Sequence, residues 1–103
     1  MTQKIYAGIN VDISADGYLS NPSQWTAEIA KEIAKEEEIH LTEKHLQLLQ
    51  FLRDRFTKGE QLTIRSVGKS GIVDIKGFYE LFPGAPLKKA SRIAGIPKPV
   101  SCV

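Results

Sequence analysis

Cysteine is almost missing from this chain: Cys102 is the only one among 103 residues. That excludes an internal disulfide and a multi-cysteine metal cluster. A lone thiol stays reduced in the cytoplasm, which is the expected location. Long apolar runs are missing as well. No stretch approaches the roughly 20 residues of a membrane span, and the opening MTQKIYAGINVDIS lacks a signal-peptide core. Excess charge is small. Fourteen Lys and Arg against twelve Asp and Glu leave a formal +2, too little to argue for nucleic acid by itself. There is no Gly-rich phosphate loop and no Ser/His/Asp arrangement. His40 and His45 have no cysteine beside them, and a zinc site needs two further ligands. No metal and no cofactor are expected. His40 reads as a surface residue and His45 as a helix-face or capping contact.

What is present is an ordinary globular composition, 42% apolar and 25% charged, of a length that fits one domain. Ile5, Ala7, Ile9, Val11 and Ile13 alternate, the period of a strand with one buried face. Gly8-Ile9-Asn10 offers a tight turn and Ala15-Asp16-Gly17 a second. Tyr18-Leu19 then gives a third short strand, making a small antiparallel meander. Asn21 as cap and Pro22 at the first position predict a helix of about 15 residues ending near Glu38. Trp25, Ile29 and Ile33 form its apolar face, with Trp25 as a core anchor. Glu36, Glu37 and Glu38 fall at its C-terminal end, where the dipole disfavours acids. A close basic neighbour or an early helix end is expected there.

Thr42 caps a second helix with His45, Leu48, Leu49, Leu52 and Phe56 on one face, stopped by Gly59. Thr63 opens a short third helix through Ile64 and Val67. Asp74 caps a fourth with Phe78, Tyr79, Leu81 and Phe82 on its apolar side. Pro86 starts a fifth through Leu87, Ala90, Ile93 and Ala94, ending at Gly95. The expected fold is α+β: a small N-terminal antiparallel meander packed on about five helices. Residues 1–95 form the domain and 96–103 a flexible arm carrying the cysteine.

The arm reads Ile96-Pro97-Lys98-Pro99-Val100-Ser101-Cys102-Val103. Pro97 and Pro99 favour an extended course, and seven steps at ~3.1 Å each carry the thiol roughly 20 Å from Gly95. An unperturbed thiol, pKa ~8.5, is only a few per cent thiolate at pH 7. Lys88, Lys89, Arg92 and Lys98 lie close in sequence and favour the thiolate. The Val103 carboxylate opposes them, and the sequence leaves that balance open.

These residues resemble the TusE/DsrC family of sulfur-relay proteins along nearly the whole chain. The resemblance runs through Asp16-Gly17-Tyr18-Leu19, Trp25, Leu41-Thr42-Glu43-Lys44-His45, Phe51-Leu52-Arg53, Ile64-Arg65, Leu81-Phe82-Pro83, Pro86, Lys88 and Ala90. It closes on Ala94-Gly95-Ile96-Pro97-Lys98-Pro99 followed by Cys102. The resemblance implies a mobile C-terminal arm with Cys102 as the sulfur-carrying residue. It implies a sulfurtransferase component without independent turnover. Its partners would be upstream sulfur-relay donors and an acceptor, either a tRNA thiolase making wobble 2-thiouridine or a sulfite reductase. DsrC-type members active with dissimilatory sulfite reductase carry a second cysteine eleven positions earlier, where this chain has Ser91, and this favours the TusE-like role. Leu46, the short Arg65–Leu81 segment and Gly84-Ala85-Pro86 depart from the TusE pattern. They leave open a DsrC-like partner of dissimilatory sulfite reductase, acting as its gamma subunit does, or a carrier in sulfur oxidation. Arg53, Arg65, Lys88, Arg92 and Lys98 are the candidate contacts for the arm or for a partner's acidic surface.

One reading from a different class competes. Thr63 to Phe82 has the outline of a helix-turn-helix, with Lys69 in the turn and Lys76 on the second helix. Asp74 and Glu80 oppose them, so direct nucleic-acid binding is expected to be weak, and core packing accounts for the apolar residues.

Overall fold

The structure, a computed structural model, describes residues 2–60 and 62–97. It is an α+β fold, as the sequence predicts. Strands β1 (Thr2–Tyr6) and β2 (Ile9–Ile13) pair antiparallel, Tyr6 opposite Ile9 and Thr2 opposite Ile13. Leu19 adds a single bridge to Ile13, the trace of the expected third strand. The turn is Ala7-Gly8, one residue earlier than predicted, with both residues at positive φ, the two-residue form that matches strand twist. This changes the buried face. Across a two-residue turn, even positions of β1 share a face with odd positions of β2. Tyr6, Val11 and Ile13 therefore go inward and Ile5, on the other face, is 69% exposed, while Ile9 shares the inner face opposite Tyr6 but is 41% exposed at the turn end of the hairpin.

The predicted 15-residue helix is two pieces. Asn21 caps only a 3-10 turn, Pro22–Gln24. Trp25 then takes extended backbone, φ −69° and ψ 140°, and Thr26 caps α1 (Ala27–Glu36) by accepting from Ile29 N–H. Both devices expected for the acidic end are present. The helix stops at Glu36, and Arg92 and Lys4 reach its carboxylates.

The remaining helices follow their caps. Thr42 opens α2 (Glu43–Thr57), with the His45 ring closing a capping box. Thr63 opens α3 (Ile64–Gly68) and Asp74 opens α4 (Ile75–Leu81). Pro86 begins α5 (Pro86–Ile93). Ile29, Ile33, Leu48, Leu49, Leu52, Val67, Phe78, Phe82, Leu87 and Ile93 form one core beneath the hairpin. Phe56 and Tyr79, predicted on the apolar faces of their helices, are exposed, and so is Ile75. Phe56 stands in the last turn of α2, and Ile75 and Tyr79 share the outer side of α4, one turn apart. Among the described residues no helix is long and apolar enough to cross a membrane.

Candidate functional site

Cys102 and Lys98 lie outside the described residues. What the structure gives is the point from which the arm departs. Helix α5 ends in a Schellman motif: Gly95 N–H donates to the Arg92 carbonyl and Ile96 N–H to the Ser91 carbonyl. Gly95 stands at φ +72°, and Ile96 turns back into the core. This is the geometry that glycine after a helix end permits and that a hydrophobic residue next along the chain secures. Pro97, the next residue, is exposed.

Two side chains brace this root. Trp25 lies so close that a Cβ on Gly95 would overlap its ring. Its indole Nε1 donates to the Ile93 carbonyl at 2.7 Å. Arg53, from the middle of α2, donates from Nη1 to the Ala94 carbonyl at 2.8 Å and from Nη2 to the Pro22 carbonyl at 3.0 Å. Its guanidinium stacks on Trp25, 4.4 Å from the ring centroid. Burial pushes the Arg53 pKa below its ordinary value, with Asp54 working the other way, and the group stays charged. The helix-end carbonyls carry the negative end of the α5 dipole, so a cation there is favourable. Trp25 is thus a clamp on the α5 terminus, a position made possible by the break before α1.

The other candidates are scattered. Arg92 is spent on the opposite edge of α5. It donates to the Gly17 carbonyl and the Glu37 carboxylate, both at 3.0 Å, and pairs with Glu36. Lys4 and the Tyr6 hydroxyl reach the same Glu36. Burial alone would raise the Glu36 pKa; the hydrogen bonds from Lys4, Arg92 and Tyr6 outweigh it and hold the carboxyl below its ordinary value. Lys88 is exposed in the first turn of α5, beside a shallow hollow of about 270 Å³ lined by Ile64, Tyr79, Pro86 and Leu87. Arg65 is exposed on α3 and its side chain makes no bond to the described residues of the root. Ser91 is fully buried, and its hydroxyl has no hydrogen-bond partner among the described residues.

His45 is buried and its Nε2 is 2.9 Å from the Leu81 carbonyl, while His40 is exposed. No group of three or more His, Cys, Asp and Glu is gathered for a metal among the described residues. The helix-turn-helix alternative is not supported. Its second helix has seven residues, and Val67, Phe78 and Phe82 are core. The Trp25–Gly95 contact was not legible from spacing, because the two residues meet only through the packing of α5.

Comparison with known proteins agrees with this geometry. The family model described as "DsrC like protein" matches residues 5–103. Sulfurtransferase TusE of Photorhabdus laumondii is 35% identical, with all of both chains covered. Sulfurtransferase TusE of Escherichia coli K12 is 36% identical, covering 96% of this chain and 98% of the relative. Among solved structures, the oxidized gamma-subunit of the dissimilatory sulfite reductase (DsrC) from Archaeoglobus fulgidus superposes with TM-score 0.82 at 33% identity. That superposition covers 99% of this chain and 100% of that one. The structure of Allochromatium vinosum DsrC gives 0.81 at 34% identity, covering 98% and 97%. The lone thiol, the IPKP segment and the braced end of α5 are thus features of a chain that belongs to the DsrC-like protein family.

Proposed function

We propose that this protein is a sulfur-relay carrier that takes persulfide sulfur on Cys102 and passes it to an acceptor. The Cys102 thiolate attacks the terminal sulfur of a donor persulfide. A new S–S bond forms on Cys102, the donor S–S bond breaks, and the donor leaves as a thiolate. In the second half an acceptor thiolate attacks the terminal sulfur now held on Cys102, which leaves as a thiolate in turn. No external oxidant or reductant is consumed, since the sulfur moves with its oxidation state unchanged. The domain's part is to anchor the root: Trp25, Arg53 and Ile96 fix Ala94 and Gly95, and the residues beyond supply reach.

The observation that carries the reading is a single cysteine in a chain matched over its full length by a sulfurtransferase TusE. With Ser91 in place of a second thiol, no intramolecular disulfide can compete with transfer. This favours a TusE-like role in the cytoplasm, with upstream relay proteins as donors and a tRNA thiolase as acceptor, over service as a sulfite reductase subunit. The test is intact mass after incubation with a cysteine desulfurase, cysteine and the upstream relay proteins. Wild type should gain about one sulfur mass, as thiol–persulfide exchange requires, and Cys102→Ser should gain none. An unmodified wild type with every competent donor sinks the reading.

A further inference from the structure

The basic residues of this chain divide sharply by what they hold. Lys4, Arg53, Lys89 and Arg92 are committed to carboxylates or backbone carbonyls within the fold. Lys44 is bonded to the Ile72 carbonyl. The side chains of Lys35, Lys58, Arg65, Lys69, Lys76 and Lys88 make no hydrogen bond or ion pair among the described residues, and of these Arg65 and Lys69 line one cleft together. Arg65 on α3 and Lys69, its C-cap, stand one turn apart, and they face Arg55 of α2 across a cleft of about 340 Å³ lined also by Phe51, Thr63, Ser66 and Ser70. Phe51 and Arg55 are likewise one turn apart, and the guanidinium lies 5.7 Å from the ring centroid. One acid, Glu60, touches the rim, 3.7 Å from Arg55.

We infer that this cleft is a docking site for a protein partner presenting carboxylates beside an apolar side chain. Three cations against one rim acid make the local field positive although the whole chain is nearly neutral. The cleft is not built as a phosphate cradle. Ser66 and Ser70 donate their hydroxyls to the Thr63 and Val67 carbonyls, so those donors are spent. What remains is long cationic side chains around an aromatic floor, the pattern of a polar interface rim about an apolar centre. The position suits a carrier. Arg53 and Arg55 are two residues apart on α2 and so point to nearly opposite sides of it. Arg53 holds the arm root and Arg55 lines the cleft. A partner seated in the cleft lies across α2 from the root, about one helix diameter, ~10 Å, away, within the roughly 20 Å that the arm residues can span. The inference rests on the carrier reading for its biological sense and on the cleft alone for its chemistry.

Two measurements test it on the full chain. In a low-salt NMR titration, an acidic pentapeptide with a central phenylalanine should shift the amides of Phe51, Arg55 and residues 65–70. The shifts should fade with added salt and be absent in the double variant Arg65→Glu, Lys69→Glu. Inorganic phosphate or tRNA binding there more tightly than the peptide overturns the inference, as does an absence of shifts. In sulfur uptake from the donor protein, the same double variant should be slower by roughly tenfold at low salt, the lower end of electrostatic steering. Its uptake from inorganic polysulfide should be unchanged. Equal rates with the donor protein overturn the docking site. A wild type that takes sulfur from neither source defeats the carrier reading instead, while the peptide titration still decides the cleft.

Discussion

Arg53 and Arg92 are both partly withdrawn from water, and they are held in opposite ways. Arg92, on the outer edge of α5, meets two carboxylates, and its pKa is raised: burial opposes the shift and the bond to Glu36 overcomes it. Arg53, under the C-terminal end of the same helix, is bonded to two backbone carbonyls and an aromatic face. Burial lowers its pKa. The first cluster is a network of neutralised charges joining β1, α1 and α5. The second is a charge lent to a helix end. The difference has a functional sense. A network of acids and bases loosens when strong acid protonates its carboxylates, whereas a guanidinium on backbone carbonyls has no acceptor that acid can neutralise. The arm root is built in the second way.

The largest effect should come from Gly95→Val. The backbone there is left-handed, which costs a side-chain-bearing residue about 1–2 kcal/mol, and the Cβ would overlap Trp25, adding overpacking of about 1–3 kcal/mol. A loss of about 3 kcal/mol in urea unfolding is expected. Gly59 has the same handedness, φ +76°, with nothing within 4 Å of a Cβ, so Gly59→Val should lose only the backbone part. Equal losses at the two positions would mean that the Trp25 contact does not fix the root.

Next in size is Arg53→Met, which keeps the stem and removes the donors. The Ala94 and Pro22 carbonyls lose a charged partner, a cost of about 2 kcal/mol. The loss should change little between pH 7 and pH 4, because both hydrogen-bond acceptors of Arg53 are backbone carbonyls and the Asp54 carboxylate acts on it only through space. Urea midpoints at the two values check it. A loss that shrinks on acidification would place a carboxylate in this network and erase the contrast with Arg92.

Much of the scaffold was legible because it is written locally. Thr42, Thr63 and Asp74 each offer a side-chain oxygen to an N–H three residues on, and Gly59 and Gly95 follow the helices they end. The legibility failed where distant residues decide. Trp25 leaves the helical path for a carbonyl 68 residues away, so a continuous i, i+4, i+8 pattern is divided by a contact no local window contains. Ala7 takes positive φ without being glycine, which hid the turn and with it the buried parity of β1. At the site, sequence proximity grouped Arg92 with the thiol, and the fold turns Arg92 to Glu36 and Glu37. The cleft cations had a weak signal: Phe51 with Arg55 and Arg65 with Lys69 are one helical turn apart. Which basic residues remain uncommitted depends on tertiary pairing alone.

The smallest stability effect, and the one that sharpens the contrast most, belongs to Glu36. Its folded pKa is depressed below the unfolded value of about 4.3. A carboxylate of this kind binds protons more readily when unfolded. Its contribution is therefore complete above the unfolded value and is lost as pH falls through the depressed folded one. Glu36→Gln should cost about 1 kcal/mol at pH 7, the upper end for a partly exposed pair. The cost should shrink as pH falls below the unfolded value of about 4.3, where the unfolded wild-type chain takes up a proton before the folded one does. Urea midpoints of both proteins from pH 7 to pH 3 measure the gap. A gap that stays constant would mean that Arg92 is held by shape and not by charge, and that the two arginines do not differ in kind.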